Sequence, residues 1–127
     1  GQALTEALRD DSALVRGLAA AAWRAPKEGA PVEALARLLT DSEIGVRMMA
    51  AEALAALGGG AKPALAGLLA ACEAPDQPVH VQRSLANALG AIGPDARAGL
   101  PALRRFRAIP RVKWNADAAI AKIEGAK

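Results

Sequence analysis

Apolar residues in this chain recur at helical spacing in four successive registers. Val15, Val46, Val81 and Val112 each begin one, 31, 35 and 31 residues apart. Four residues on come Ala19, Ala50, Leu85 and Ala116, and eight on come Trp23, Leu54, Leu89 and Ile120. Leu57, Ile92 and Ile123 follow at eleven. These offsets share one face of a 3.6-residue helix. A second apolar series precedes each register from the second onward. Leu35, Leu65 and Leu100 correspond, as do Leu38, Leu68 and Leu103. A period of this size means one helix pair used repeatedly.

The pattern predicts eight helices in four pairs: 2–9 with 12–24, 31–40 with 42–57, 62–72 with 78–92, and 95–106 with 110–124. No stretch alternates as a strand does. Glycine and proline punctuate the pattern. Gly58-Gly59-Gly60 and Gly93-Pro94 follow the second helices, where glycine suits a left-handed C-terminal cap. Asp11-Ser12 and Asp41-Ser42 precede second helices, where they can accept from free first-turn N–H groups. Pro31 and Pro94 fit first-turn positions. Pro101 falls inside a helical register, which predicts a short turn and a fresh start there.

Composition narrows the architecture. The 127 residues contain 34 Ala, one Phe, two Trp and no Tyr. Such a core is thin and layered between closely approaching helices. The expected fold is therefore all-α, an α/α superhelix of four helical hairpins in one domain, 1–127. The units run approximately 1–26, 27–59, 60–93 and 94–127. The first helix lacks the lead-in the others have and the chain opens on Gly1, so it reads as a piece of a longer polypeptide.

The net charge of +3 is too small to mark a nucleic-acid binder by itself. Cys72 is the single cysteine, which rules out an internal disulfide and fits a reducing cytosol. One His and one Cys cannot build a His/Cys zinc cluster. No nucleophile elbow or phosphate-cradling loop is present, and Gly58-Gly59-Gly60-Ala61-Lys62 lacks the Lys-Ser/Thr ending of a P-loop. No apolar run reads as long enough to cross a bilayer. No catalytic residue, cofactor or metal is expected.

The phrase Asp41-Ser42-Glu43-Ile44-Gly45-Val46-Arg47, followed by Ala50-Ala51-Glu52-Ala53-Leu54-Ala55-Ala56-Leu57-Gly58, resembles HEAT-like repeats of the short kind found in phycobiliprotein lyases and many bacterial proteins. The likeness extends over the four units. Three departures stand out: Trp23 at a Leu position, Gln82 where Arg is expected, and a shorter connection before Lys113. The resemblance implies a non-catalytic scaffold that presents its second helices to a protein partner or to an adjacent domain of the same polypeptide. It also implies two alternatives. One is a C-terminal accessory module of a larger bacterial hydrolase such as a sulfatase. The other is a domain gripping the DNA backbone, as in some alkylpurine glycosylases, although scarce aromatics make nucleic acid the less expected partner.

Sequence-specific function should lie where the units disagree. One residue after each Val stand Arg16, Arg47, Gln82 and Lys113. These either form a basic groove or bond to carbonyls or the Asp of a neighbouring unit, holding the stack in register. Two after each Val stand Gly17, Met48, Arg83 and Trp114, off the apolar stripe. Exposed Trp, Met and Arg are common interface anchors, whereas Trp114 could instead cap the last apolar layer. Arg104, Arg105, Arg107, Arg111 and Lys113 form a basic cluster or a solvated face. The candidate partner-binding set is Arg47, Met48, Arg83, Arg111, Lys113 and Trp114. Trp23 is expected in the core, and Cys72 is expected to be a small buried residue.

Overall fold

The computed structural model describes residues 2–25 and 28–125. The unit boundary expected at 26/27 lies outside them. Eight α-helices form among the described residues, in the order the apolar pattern predicts: α1 (Gln2–Ala7), α2 (Ala13–Ala22), α3 (Val32–Arg37), α4 (Ile44–Leu57), α5 (Leu65–Cys72), α6 (Val79–Ile92), α7 (Leu100–Phe106) and α8 (Pro110–Glu124). No strand occurs among the described residues. Short 3₁₀ segments run Leu38–Thr40, Gly58–Ala64 and Gly93–Gly99.

Two layers result. The even-numbered helices form one, α2 packing on α4, α4 on α6 and α6 on α8. The odd-numbered helices flank them, with α3 against α4, α5 against α6 and α7 against α8. These contacts bury most of the predicted stripe, although Val15 stays 36% exposed and Leu57, Leu65 and Ile120 are only partly buried. Val46, Val81, Val112, Leu54, Leu89, Leu85, Ile92 and Ile123 are all buried, as are Leu35, Leu38, Leu68 and Leu103. Each large apolar side chain so placed contributes about 1.5–3 kcal/mol relative to exposure. Alanines at the contacts hold the layers close, and Gly90 closer still. A Cβ built there would meet the Cα of Ala119 at 2.9 Å, so α6 and α8 approach to within backbone contact.

The punctuation works with two corrections. Ser12 caps α2, its Oγ accepting from the N–H of Val15 at 3.4 Å. Asp41 does not cap α4. The cap position is Glu43, and Asp41 Oδ1 accepts the Glu43 N–H at 2.9 Å from outside the helix. Gly58 and Gly93 have φ of 54° and 84°, a region L-residues avoid, but their ψ values of −129° and −149° are not those of a left-handed helix. Gly125 takes the left-handed conformation expected of a C-terminal cap. Pro101 sits in the first turn of α7, just after the chain restarts, as its position requires.

Within the 29 helical residues Ile44–Cys72, an 18-residue stretch reaches a mean hydropathy of 1.4, long and apolar enough by composition for a bilayer span. The chain breaks it at Gly58. α4 lies in one layer between α2 and α6, and α5 begins separately in the other layer after Pro63.

Candidate interaction surface

The surface is built by the side of α2, α4, α6 and α8 opposite the buried stripe. Residues two beyond each Val lie roughly 200° round the helix from it, so Gly17, Met48, Arg83 and Trp114 point away from the core. Leu14, Gly45, His80 and Arg111, one residue before each Val, share that side, as do Ala21, Glu52, Asn87 and Ala118. Trp114 is 76% exposed, which decides between a capping role and an outward one. Met48 is half-buried against the core edge. Arg83 is half-buried, and its Nη2 lies 2.9 Å from His80 Nδ1. Asn115 Nδ2 donates to Asn87 Oδ1 at 3.0 Å and ties α8 to α6 along the same side.

The residues directly after each Val do something else. Arg16 reaches forward to the next unit. Its Nε donates to Asp41 Oδ2 at 2.8 Å and its Nη2 to Asp41 Oδ1 at 3.2 Å, while Nη1 donates to the carbonyls of Asp10 and Asp11. The Asp41 side chain is only 8% exposed. Burial pushes the Asp41 carboxyl up, but the hydrogen bonds from Arg16 and the Glu43 N–H outweigh it and hold the group below the ordinary carboxylate range. Arg47 makes the next latch. Its Nη1 donates to Gln77 Oε1 at 2.7 Å, and Gln77 Nε2 donates to the Ala71 carbonyl at 2.9 Å. Arg47 Nε is buried without a hydrogen-bond partner. The guanidinium of Arg47 is therefore part of the stack, and it does not join the outward face. Lys113 is exposed and donates to Asp117 Oδ2 at 2.7 Å.

The C-terminal basic cluster is largely neutralised within the chain. Arg104 pairs with Glu124, Arg105 with Glu73, and Arg107 and Lys113 both with Asp117. The Lys113 hydrogen bond, then that of Arg107, holds the Asp117 carboxyl below its usual range. Arg111 has no ion pair among the described residues. Trp23 is buried, as expected of a residue in a Leu position. Cys72 is buried, and burial pushes its thiol up to about 12.

The sequence reading missed an apolar patch at the other end of the same side. Leu14 is 71% exposed, Leu18 63% and Ile44 47%. Together with Gly17, Ala21, Met48 and Met49, the two leucines line a groove of about 440 Å³ between α2 and α4. The signal was present in the residues three beyond each Val: Leu18, Met49, Ser84 and Asn115. Met49 is half-buried and Ser84 buried, whereas Leu18 at the same offset is exposed.

Two layers of paired helices with a continuous outward face define a helical-repeat protein. The HEAT repeats profile matches residues 1–80, and the chain belongs to that family. A search of the curated proteins finds no match to it.

Proposed function

We propose that this chain is a docking scaffold that binds a protein partner, or an adjacent domain of its own polypeptide, through the outward side of α2, α4, α6 and α8. The observation that carries the reading is the exposure of Leu14 and Leu18 around the groove between α2 and α4, with Trp114 exposed farther along on α8. Large apolar residues collected around a groove mark interaction surfaces, whereas singly scattered ones do not. Met48, Arg83, Arg111 and Trp114 are the contact residues, with Lys113 at the rim and Arg47 reserved for the stack. Self-pairing of most cations in the basic cluster argues against a DNA-backbone grip, which needs its cations free for phosphate.

Site-specific photocrosslinking tests this. A benzophenone amino acid is placed at Met48 or Trp114 on the proposed face, and at Ala66 or Arg37, both exposed on the flanking layer. Crosslinked adducts are expected from the first pair. Adducts confined to the second pair would overturn the assignment of the face.

A further inference from the structure

The outward side is not uniform along the stack. At α2 and α4 it is apolar and grooved: Leu14, Leu18 and Ile44 stand exposed, and Met48 lines the cleft. Of the two charged residues that line the cleft, Arg24 pairs with Glu52 at 3.0 Å, and Glu43 at the start of α4 has no ion pair among the described residues. At α6 and α8 the same columns carry His80, Arg83, Arg111 and Trp114. The acids near that end are turned aside, Asp117 to Lys113 and Arg107, and Glu124 to Arg104. Arg83 and Arg111 thus meet solvent with no carboxylate bound to them among the described residues. One face therefore begins as an apolar cleft and ends as a cationic, aromatic strip.

Resting on the docking reading above, we infer that the occupant of this face is an extended acidic peptide segment with an apolar anchor. The anchor seats between α2 and α4, and the carboxylates lie over Arg83 and Arg111, with Trp114 covering the chain between them. Charge complementarity selects acidic residues at one end, and the cleft selects an apolar side chain at the other. Helix spacing sets the distance between them. Packed helices lie about 8–10 Å apart, and an extended chain advances about 3.3 Å per residue. From the cleft to α6 is roughly one and a half helix steps, about four residues. From the cleft to α8 is roughly two and a half, about seven residues. Gly17 and Ala21 are small residues of the α2 lining, and the cleft volume of about 440 Å³ leaves room for a branched aliphatic side chain.

Fluorescence anisotropy on the intact chain tests the inference. The probes are fluorescein-labelled peptides with a leucine pair at one end and glutamates four and seven residues away, made in both chain directions. Controls replace the glutamates with lysines, or the leucines with serines. The acidic, anchored peptide in one direction is expected to bind, and both controls to bind at least about tenfold more weakly. Arg83→Glu with Arg111→Glu is expected to weaken the acidic peptide about tenfold or more and to improve the lysine control. Leu18→Glu is expected to weaken every anchored peptide without changing the preference for glutamate over lysine. These positions are exposed or half-buried, and circular dichroism checks that each variant keeps its helices.

Equal binding of the glutamate and lysine peptides, or no loss on removing the leucines, would overturn the inference. So would failure of the anchored acidic peptides in both directions, or binding of duplex DNA in preference to them. Crosslinks from Met48 and Trp114 alongside peptide failure would leave the docking face standing and remove only this ligand class. Crosslinks confined to Ala66 and Arg37 would remove the face itself.

Discussion

Arg16 and Asp41, 25 residues apart, form a two-point ion pair that joins the first second-layer helix to the loop ahead of the next. Both side chains are mostly sheltered, so the pair holds a geometry that an exposed pair would not. Arg16→Ala leaves the Asp41 carboxylate without its partner, and Asp41→Asn leaves the guanidinium with a neutral acceptor. Each is expected to lower the melting temperature, Arg16→Ala more. The pH dependence separates this pair from packing effects. The folded-state pKa of Asp41 lies below its unfolded value. Its contribution is therefore complete above the unfolded pKa of about 3.9 and is lost as pH falls through the lower, folded value. The melting-temperature gap between the wild-type chain and Asp41→Asn is expected to be constant from neutral pH down to about pH 5 and to narrow in stronger acid. A gap that is unchanged at pH 2 would show that the pair's charge contributes nothing.

Gln77 makes the second latch, and it is buried. Gln77→Ala removes the acceptor for Arg47 Nη1 and the donor to the Ala71 carbonyl together. Arg47 Nη1 then loses its acceptor, while the Ala71 carbonyl still accepts the Ala74 N–H, so the expected cost is about 1–3 kcal/mol, measured as a shift in the urea midpoint at constant slope. Gln77→Glu, which replaces a neutral acceptor with a charged one but loses the amide donor, is expected to recover part of the loss.

Gly90 is the position where helix propensity and packing point in opposite directions. Alanine is the better helix former by about 1 kcal/mol. A Cβ at 90 would nonetheless press on the Ala119 Cα, which is backbone and cannot rotate aside. Packing wins: Gly90→Ala is expected to destabilise, and Gly90→Val to do so by about 1–3 kcal/mol through overpacking. Thermal denaturation of the two variants decides the sign. A stabilised Gly90→Ala would mean that α6 and α8 separate at little cost.

Cys72 should be chemically silent in the folded chain. Its thiol is buried and held near 12, so almost no thiolate exists at pH 8. Ellman's reagent is expected to titrate no thiol within minutes at pH 8 and one thiol after guanidinium unfolding. Prompt reaction of the native chain would place Cys72 at the surface.

The helices were legible because the apolar offsets repeat four times, and repetition turns a weak local pattern into a fixed register. The sequence admitted two destinations for Arg16 and Arg47, and the structure selects the latch. What it could not locate was the acceptor for Arg47. Register with Asp10 and Asp41 puts an acid at Asp76, but the connection to the third unit is longer than that to the second. There the backbone passes through a positive φ of 56° at Asp76, and the side chain that meets Arg47 belongs to the next residue, Gln77. The exposure of Leu14 and Leu18 was also hidden. Their spacing is that of ordinary helix positions, and burial at such positions depends on a neighbouring helix that local pattern does not specify. The basic cluster left two readings open, because the acids that pair with Arg104, Arg105 and Arg107 lie 10 to 32 residues away along the chain; only Asp117, four after Lys113, was close enough to read locally.

The latch also has a direction. Each guanidinium reaches from one unit to an acceptor carried by the unit after it. Parting the stack at such a joint therefore leaves unlike surfaces. The downstream piece keeps a carboxylate or amide on a loop, which water solvates readily. The upstream piece keeps a partly sheltered guanidinium that has lost its acceptor across the joint: Arg16 retains only the Asp10 and Asp11 carbonyls at Nη1, and Arg47 loses Gln77. A stack joined this way is easier to open from its amino-terminal side, and the replacement of Arg by Gln82 and Lys113 in the later units removes that asymmetry where the latch is no longer made.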